Sequence, residues 1–165
     1  MKQIRYALIR KTDISNGEGL GVSLFVQGCH THCRGCFNPE TWDFDGGKEW
    51  TPETEELFLS LIDKPHIKRV SFLGGEPLAE ENVGTILHII NKVRSRYPDK
   101  KIWLYTGYTW ESAMNNDLQK SVLKNVDVVV DGSFDIGLKN PSLSFRGSSN
   151  QRLLRLLNGE ILSIE

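Results

Sequence analysis

Lys68-Arg-Val-Ser-Phe-Leu-Gly-Gly-Glu-Pro77 decides the architecture. Lys68–Leu73 carries a strand-like apolar run, and Gly74-Gly75-Glu76-Pro77 ends it in a turn. Asn82–Tyr97 then places Val83, Ile86, Leu87, Ile90 and Val93 at helical spacing, and Pro98 stops the helix. Lys101-Ile-Trp-Leu-Tyr-Thr106 reads as the next strand. Two strands joined by one helix predict a parallel pair with a right-handed crossover.

The same alternation extends both ways. Upstream, Gly21–Gln27 reads as a strand, and Thr51-Pro52-Glu53 starts a helix with Leu57, Phe58, Leu61 and Ile62 on one face. Glu53, Glu55 and Glu56 read as a charge run that complements the helix dipole. Downstream, Thr109 caps a third helix running toward Leu123 and interrupted around Asn115-Asn116. Val126–Val130 is nearly continuous in apolar residues, as strands covered on both faces tend to be. Ser133–Asn150 is polar and turn-rich, and Asn158-Gly159 lies between Gln151–Leu157 and Glu160–Glu165 as a strong hairpin signal. The expected fold is α/β with parallel strands and a C-terminal hairpin or extended tail.

Composition narrows the function classes. At 165 residues, 39% hydrophobic and 25% charged, the chain is expected to be a single domain, residues 1–165, with its own core. Its 20 basic and 21 acidic residues give a net charge of −1. A nucleic-acid or anionic-membrane partner would call for a basic excess, so neither is expected. Met1-Lys-Gln-Ile-Arg-Tyr6 lacks the apolar core of a signal peptide, and no segment approaches the ~20 apolar residues of a membrane span. Thiols clustered as ligands fit a reducing interior, so a cytoplasmic location is expected.

All three cysteines fall in Cys29-His-Thr-His-Cys33-Arg-Gly-Cys36, just beyond the strand Gly21–Gln27. Three thiolates from one short loop can hold three corners of a [4Fe–4S] cube and leave its fourth iron open to a small molecule. With His30 or His32 they could instead form a Cys3His zinc site, although structural zinc usually draws ligand pairs from separated segments. A disulfide would leave one thiol over and close a strained ring. On the cysteines alone, cluster and zinc both stay open. In parallel α/β folds the chemistry sits at the carboxyl ends of the strands. The cysteines, Gly74-Gly75-Glu76, Thr106-Gly107 and Asp131-Gly132 each follow a strand, so four strand ends aim polar or glycine-rich turns at one place.

The three-cysteine loop paired with Gly74-Gly75-Glu76 resembles the radical S-adenosylmethionine enzymes. A closer resemblance is to the activating proteins of anaerobic ribonucleoside-triphosphate reductase. It is carried by Asp13-Ile-Ser-Asn-Gly-Glu-Gly19, Leu24-Phe-Val-Gln-Gly-Cys29 and Gly35-Cys-Phe-Asn-Pro-Glu-Thr-Trp42. Trp103-Leu-Tyr-Thr-Gly-Tyr-Thr109, Val129-Val-Asp-Gly132 and Asn140-Pro-Ser-Leu-Ser-Phe-Arg-Gly-Ser-Ser-Asn-Gln151 extend it over almost the whole chain.

That resemblance implies a compact, partial (β/α) barrel of radical S-adenosylmethionine type. It implies Cys29, Cys33 and Cys36 as ligands of a [4Fe–4S] cluster with one open iron. S-adenosylmethionine would lie against Gly35, Cys36, Phe37, Gly74, Gly75 and Glu76, with Glu76 accepting from its ammonium group. Thr106 and Asp131 close neighbouring strands and are expected at the same cofactor; Asp131 reads equally well as a polar cap. No side chain is expected to be catalytic, because the chemistry belongs to the cofactor. The implied reaction is one-electron cleavage to methionine and a 5′-deoxyadenosyl radical, which takes a Cα hydrogen from a glycine of the large reductase subunit. The implied setting is anaerobic, with a flavodoxin-like electron donor.

One position departs from the wider superfamily: the residue before the last cysteine is often aromatic, and here it is Gly35, with Phe37 on the far side of Cys36. Arg146 and Asn150 lie in a segment more polar than a plain loop needs and are candidate contacts to substrate or partner. Trp42, Trp103, Tyr105 and Tyr108 read as core or lining residues. Two other readings stay open. One is another small radical S-adenosylmethionine enzyme, making a deazapurine carboxylate or activating a different glycyl-radical enzyme. The other is a zinc-stabilised binding module without catalysis.

Overall fold

The computed structural model describes residues 3–165, so Met1 and Lys2 of the N-terminal stretch lie outside it. The four expected strands are present as β2 (Gly21–Val26), β4 (Arg69–Gly74), β5 (Lys101–Tyr105) and β6 (Val128–Asp131), and each pairs in parallel with the next. The helices α1 (Pro52–Ile62), α2 (Val83–Arg96), α3 (Trp110–Ala113) and α4 (Asp117–Leu123) occupy the connections. Thr51 Oγ1 accepts from the Thr54 N–H at 3.1 Å, directly ahead of Pro52 at the first helical position. The break near Asn115-Asn116 is a fresh start: Thr109 caps α3, and Asn116 Oδ1 accepts from the Gln119 N–H at 3.0 Å to cap α4.

Two strands were not expected. β1 (Arg5–Asp13) runs antiparallel to β2, and β3 (Lys48–Glu49) pairs with β1. At the other side, β7 (Arg152–Leu157) runs antiparallel to β6 and turns into β8 (Glu160–Ile164) through Asn158 (φ 52°) and Gly159 (φ 78°). Positive φ at both positions is what a tight two-residue hairpin turn needs. The sheet order is β3-β1-β2-β4-β5-β6-β7-β8. The expectation of parallel strands is therefore corrected: the sheet is mixed and open, four parallel strands flanked by antiparallel pairs. β1 is hard to see in the sequence because its short apolar run, Tyr6-Ala-Leu-Ile9, is only half-buried and is flanked by Arg5, Arg10 and Lys11, and β3 has only two residues.

Alternation along the strands separates two faces. Leu24, Phe72, Leu104 and Val129 join Phe58 of α1, Ile86 and Ile90 of α2 and Val122 of α4 in one buried cluster, so the crossovers pack on the same face. Glu55 is more than part of a charge run: it is nearly buried and accepts from Lys92 Nζ at 2.6 Å and Trp50 Nε1 at 3.3 Å, tying α1 to α2. Among the described residues no helix is long and apolar enough to cross a membrane.

The opposite face carries Ser23, Ser71 and Trp103 and, nearer the carboxyl ends, Phe25, Leu73, Tyr105 and Val130. Its floor is residues 14–20, held by the fully buried Arg69. That guanidinium donates to the carbonyls of Asn16 (3.1 Å), Glu18 (3.3 Å), Asp13 (2.5 Å) and Gly19 (3.3 Å) and to Ser71 Oγ (2.5 Å). It also lies 3.6 Å from the buried Asp13 carboxylate. Helices cover one face; the other is left for a site.

Candidate functional site

A cavity of about 660 Å³ opens where β2, β4, β5 and β6 end. Its wall includes Cys29, Cys33, Cys36, Phe37, Gly74, Gly75, Glu76, Thr106 and Arg146. The structure therefore brings together most of the candidates named from the sequence. Gly35 lies beside this wall, while Asp131 and Asn150 are not part of it.

The cysteine loop and the glycine turn are stitched to each other through the backbone. Gly75 N–H donates to Val26 O at 3.0 Å and Glu76 N–H to Gly28 O at 2.7 Å. A Cβ on Gly75 would stand 2.5 Å from Gly28 O, and one on Gly74 (φ 119°) 2.6 Å from Val26 N. Close approach of chain to chain thus requires both glycines, before any ligand is considered. Asn82 completes the junction. Its buried amide donates to Gln27 O and Glu76 O, each at 3.0 Å, instead of capping α2.

Glu76 is buried, and its carboxylate is already engaged. Oε1 accepts from the Gly107 N–H at 2.7 Å; Oε2 accepts from the Leu78 N–H at 2.9 Å and the Thr106 hydroxyl at 2.8 Å. Burial pushes its pKa up, against the lowering effect of those three bonds. The side chain fastens the end of β4 to the end of β5. Thr106 enters the site through the same latch, its oxygen also accepting from the Tyr108 N–H at 3.1 Å.

The three cysteines are free and half-buried. Burial raises the Cys33 thiol, the charges of Cys29 and Cys36 add to this, and hydrogen bonds from the Phe134 N–H and Ser133 act against it. The three sulfurs therefore share one electrostatic environment. The Asn38 N–H donates to Cys36 Sγ at 3.4 Å. Three thiols on one loop, facing one cavity with amides directed at sulfur, are a donor set that fits an iron–sulfur cluster. Among the described residues no three His, Cys, Asp or Glu side chains are gathered for a single metal ion. The histidines are engaged elsewhere: His30 Nε2 lies 2.8 Å from Glu81 Oε2, and His32 stacks on Trp42 with centroids 4.6 Å apart. Among the described residues a Cys3His arrangement is not formed.

Asp131 is tied down away from the cavity. Its carboxylate pairs with Arg152 at 3.0 and 2.5 Å and accepts from the Trp110 N–H at 2.8 Å, clamping β6 to β7 and to the start of α3. The exposed Asn150 donates to Ser133 O at 2.8 Å. Gln151, not singled out from the sequence, holds residues 133–151 over the strand ends. Its Oε1 accepts from the Gly147 N–H at 2.9 Å, and its Nε2 donates to Gly132 O at 2.9 Å. Arg69, Asn82, Arg152 and Gln151 share a signature that no spacing rule detects: each bonds across a gap in sequence that only the fold closes.

Fold and site together define an α/β protein whose three free cysteines face one cavity at the carboxyl ends of its parallel strands, a donor set of the kind iron–sulfur proteins carry. The family of 4Fe-4S single cluster domains matches residues 15–154. The anaerobic ribonucleoside-triphosphate reductase-activating protein of Pasteurella multocida (strain Pm70) is 38% identical over 154 residues, 92% of this chain and 98% of that protein. The protein of the same name from Escherichia coli (strain K12) is 41% identical over 141 residues, 84% and 90% of the two chains. That of Enterobacteria phage T4 is 39% identical over 150 residues, 91% and 93%. The chain belongs to the family of anaerobic ribonucleoside-triphosphate reductase-activating proteins, within the 4Fe-4S single cluster domains.

Proposed function

We propose that this chain activates anaerobic ribonucleoside-triphosphate reductase by forming a glycyl radical on it. The observation that carries this reading is the convergence of Cys29, Cys33 and Cys36 with the Gly74-Gly75-Glu76 turn on one cavity. Cys29, Cys33 and Cys36 would hold a [4Fe–4S] cluster, which, when bound, supplies the one-electron reduction that cleaves S-adenosylmethionine to methionine and a 5′-deoxyadenosyl radical, which in turn takes the glycine Cα hydrogen.

The chain's own residues do the positioning. The backbone of Gly35–Phe37 and Gly74–Glu76 would line the bound S-adenosylmethionine, with Phe37 and Phe134 as apolar wall. Glu76 keeps Thr106 and Gly107 in place beneath it. Asp131 acts through the frame, by anchoring β7 and α3. Residues 1–165 are read as one radical S-adenosylmethionine domain, its open mixed sheet serving as the partial barrel. A reducing, oxygen-poor cytoplasm suits three free thiols, and a flavodoxin-like protein suits the need for single electrons.

The test is anaerobic reconstitution with iron and sulfide, followed by dithionite, S-adenosylmethionine and the large reductase subunit. The expected result is 5′-deoxyadenosine together with a glycyl-radical paramagnetic signal on the reductase, both lost in Cys29→Ala. Product without any radical on the reductase would reject the partner, and no iron uptake would reject the chemistry.

A further inference from the structure

Beyond Phe37, the rim of the cavity carries features that the site chemistry leaves unused. Seven of the nine arginines have a carboxylate within 4.0 Å. Among the described residues Arg34 and Arg146 have none, and both stand at this rim. Arg34 is exposed between Cys33, which forms part of the cavity wall, and Gly35. Arg146 belongs to the wall, and its Nε donates only to Ser144 O, at 3.2 Å. Lys139 joins them, its Nζ 5.7 Å from the Phe37 ring centroid and, among the described residues, without an ion pair. The carboxylate on the same turn, Asp135, is occupied in accepting from the Gly137 N–H at 2.9 Å.

Apolar side chains run along the same edge. Phe37 is 61% exposed, Ile136 46% and Leu138 44%. Ile136 lies over Gly35, where an added Cβ would be 2.3 Å from Ile136 Cδ1, so the turn at 136–138 and the cysteine loop form one surface. The ring of Phe37 packs 5.0 Å from that of Phe134. Neither Ile136 nor Leu138 contributes to the cavity wall; both face outward.

We propose that this rim, the apolar strip Phe37–Ile136–Leu138 bordered by Arg34, Lys139 and Arg146, is where the reductase polypeptide docks, through an apolar segment with acidic flanks around its acceptor glycine. The proposal rests on the function proposed above and adds the surface and the partner chemistry. A glycine delivered to the cavity brings its flanking chain across this edge. Unpaired guanidinium groups offer bidentate sites to carboxylates, and exposed aromatic and arginine side chains are the types enriched where proteins meet. The apolar share favours a lasting complex over an electron-transfer encounter, which buries little surface.

The test measures affinity of the reconstituted protein for the large reductase subunit by titration calorimetry at low and moderate salt. Leu138→Asp places an unfavourable charge on the rim without touching the cavity wall. The expected result is a Kd raised roughly tenfold or more, as for a central interface residue. Formation of 5′-deoxyadenosine without reductase stays at the parent level. Arg146→Glu weakens binding as well and flattens its salt dependence. Leu162→Asp, at a still more exposed position on the outer strand β8, leaves affinity unchanged. Parent binding that Leu138→Asp and Arg146→Glu leave intact overturns the docking surface alone. So does loss of flavodoxin-driven reduction with reductase affinity intact, which would give the rim to the electron donor. A parent protein that cleaves S-adenosylmethionine yet never binds the reductase overturns the function, and this surface with it.

Discussion

Glu76→Gln separates two meanings of the glycine turn. If the carboxylate serves only to meet a ligand's ammonium group, the amide should weaken ligand binding and leave the apoprotein as stable as before. The structure makes it a latch: three donors converge on two oxygens, at 2.7, 2.9 and 2.8 Å, inside a buried site. An amide retains one acceptor oxygen. Its best placement keeps that oxygen toward Leu78 and Thr106 and turns the NH2 toward the Gly107 N–H, donor against donor. One buried bond to a charged group is lost and one N–H is orphaned, about 2–3 kcal/mol in all. With a urea m-value of about 2 kcal/mol/M for a domain of this size, the midpoint should fall by about 1–1.5 M. Glu76→Ala strands all three donors and should cost about 3–6 kcal/mol. The assay is anaerobic urea unfolding followed by far-ultraviolet circular dichroism, beside calorimetric binding of S-adenosylmethionine to the reconstituted protein. A Gln variant within about 0.5 kcal/mol of the parent would refute the latch.

Cys33→Ala should abolish cluster assembly, since two thiolates from one loop cannot seat the cube; four irons per chain in that variant would remove Cys33 from the ligand set. Arg69→Met leaves Asp13 without its buried cation and four carbonyls without their donor, so unfolding stability should drop by about 3–5 kcal/mol, and a loss under about 1 kcal/mol would contradict the floor described above. Asp13 itself gives a pH signature. Burial pushes its carboxyl up, but bonds from Ser23, Ser15 and Asn16 outweigh this and hold it at about 2, below its ordinary 3.8. That contribution, at most about 2 kcal/mol, is complete above about pH 4 and is lost as pH falls toward 2; Asp13→Asn should flatten the stability profile across that window. Gly75→Ala drives a methyl to within 2.5 Å of Gly28 O and should cost about 1–3 kcal/mol, read as a lowered melting temperature.

The central architecture was legible because it is written in short-range signals. Apolar runs, a Thr-Pro helix start, Pro98 as a stop and an Asn-Gly turn each act within a few residues, and the structure places every one of those elements as expected. The edges were not legible, since β1 is half solvated and takes its register from β2 rather than from its own pattern. The site divides the same way. The cysteines and glycines announced themselves by spacing, whereas Arg69, Asn82 and Gln151 work by reaching across 50, 55 and 19 residues to carbonyls whose position only the fold determines. Glu55 shows the converse error: it looked like a surface charge because its partners, Trp50 and Lys92, lie on other elements.

Packing all the crossover helices on one face has a further consequence for how such a chain works. The other face is not walled off by a second helical layer; it is closed below by residues 14–20 and above by residues 133–151. A long chain-closed barrel can surround a small substrate, but this open sheet leaves one side of the cavity bounded by irregular segments held through a few side chains. Irregular segments on a rigid scaffold are where binding surfaces concentrate. The rigid part is correspondingly well defended: Arg69 fixes the floor, Glu76 and Asn82 fix the strand ends, and Arg152 with Asp131 fixes the last strand. Arg34, Lys139 and Arg146, with the exposed Phe37, Ile136 and Leu138, lie instead on the cysteine loop and on residues 133–151. That division, buried polar groups spent on the frame and unsatisfied ones on the rim, is what a protein needs if its substrate is the surface of another protein.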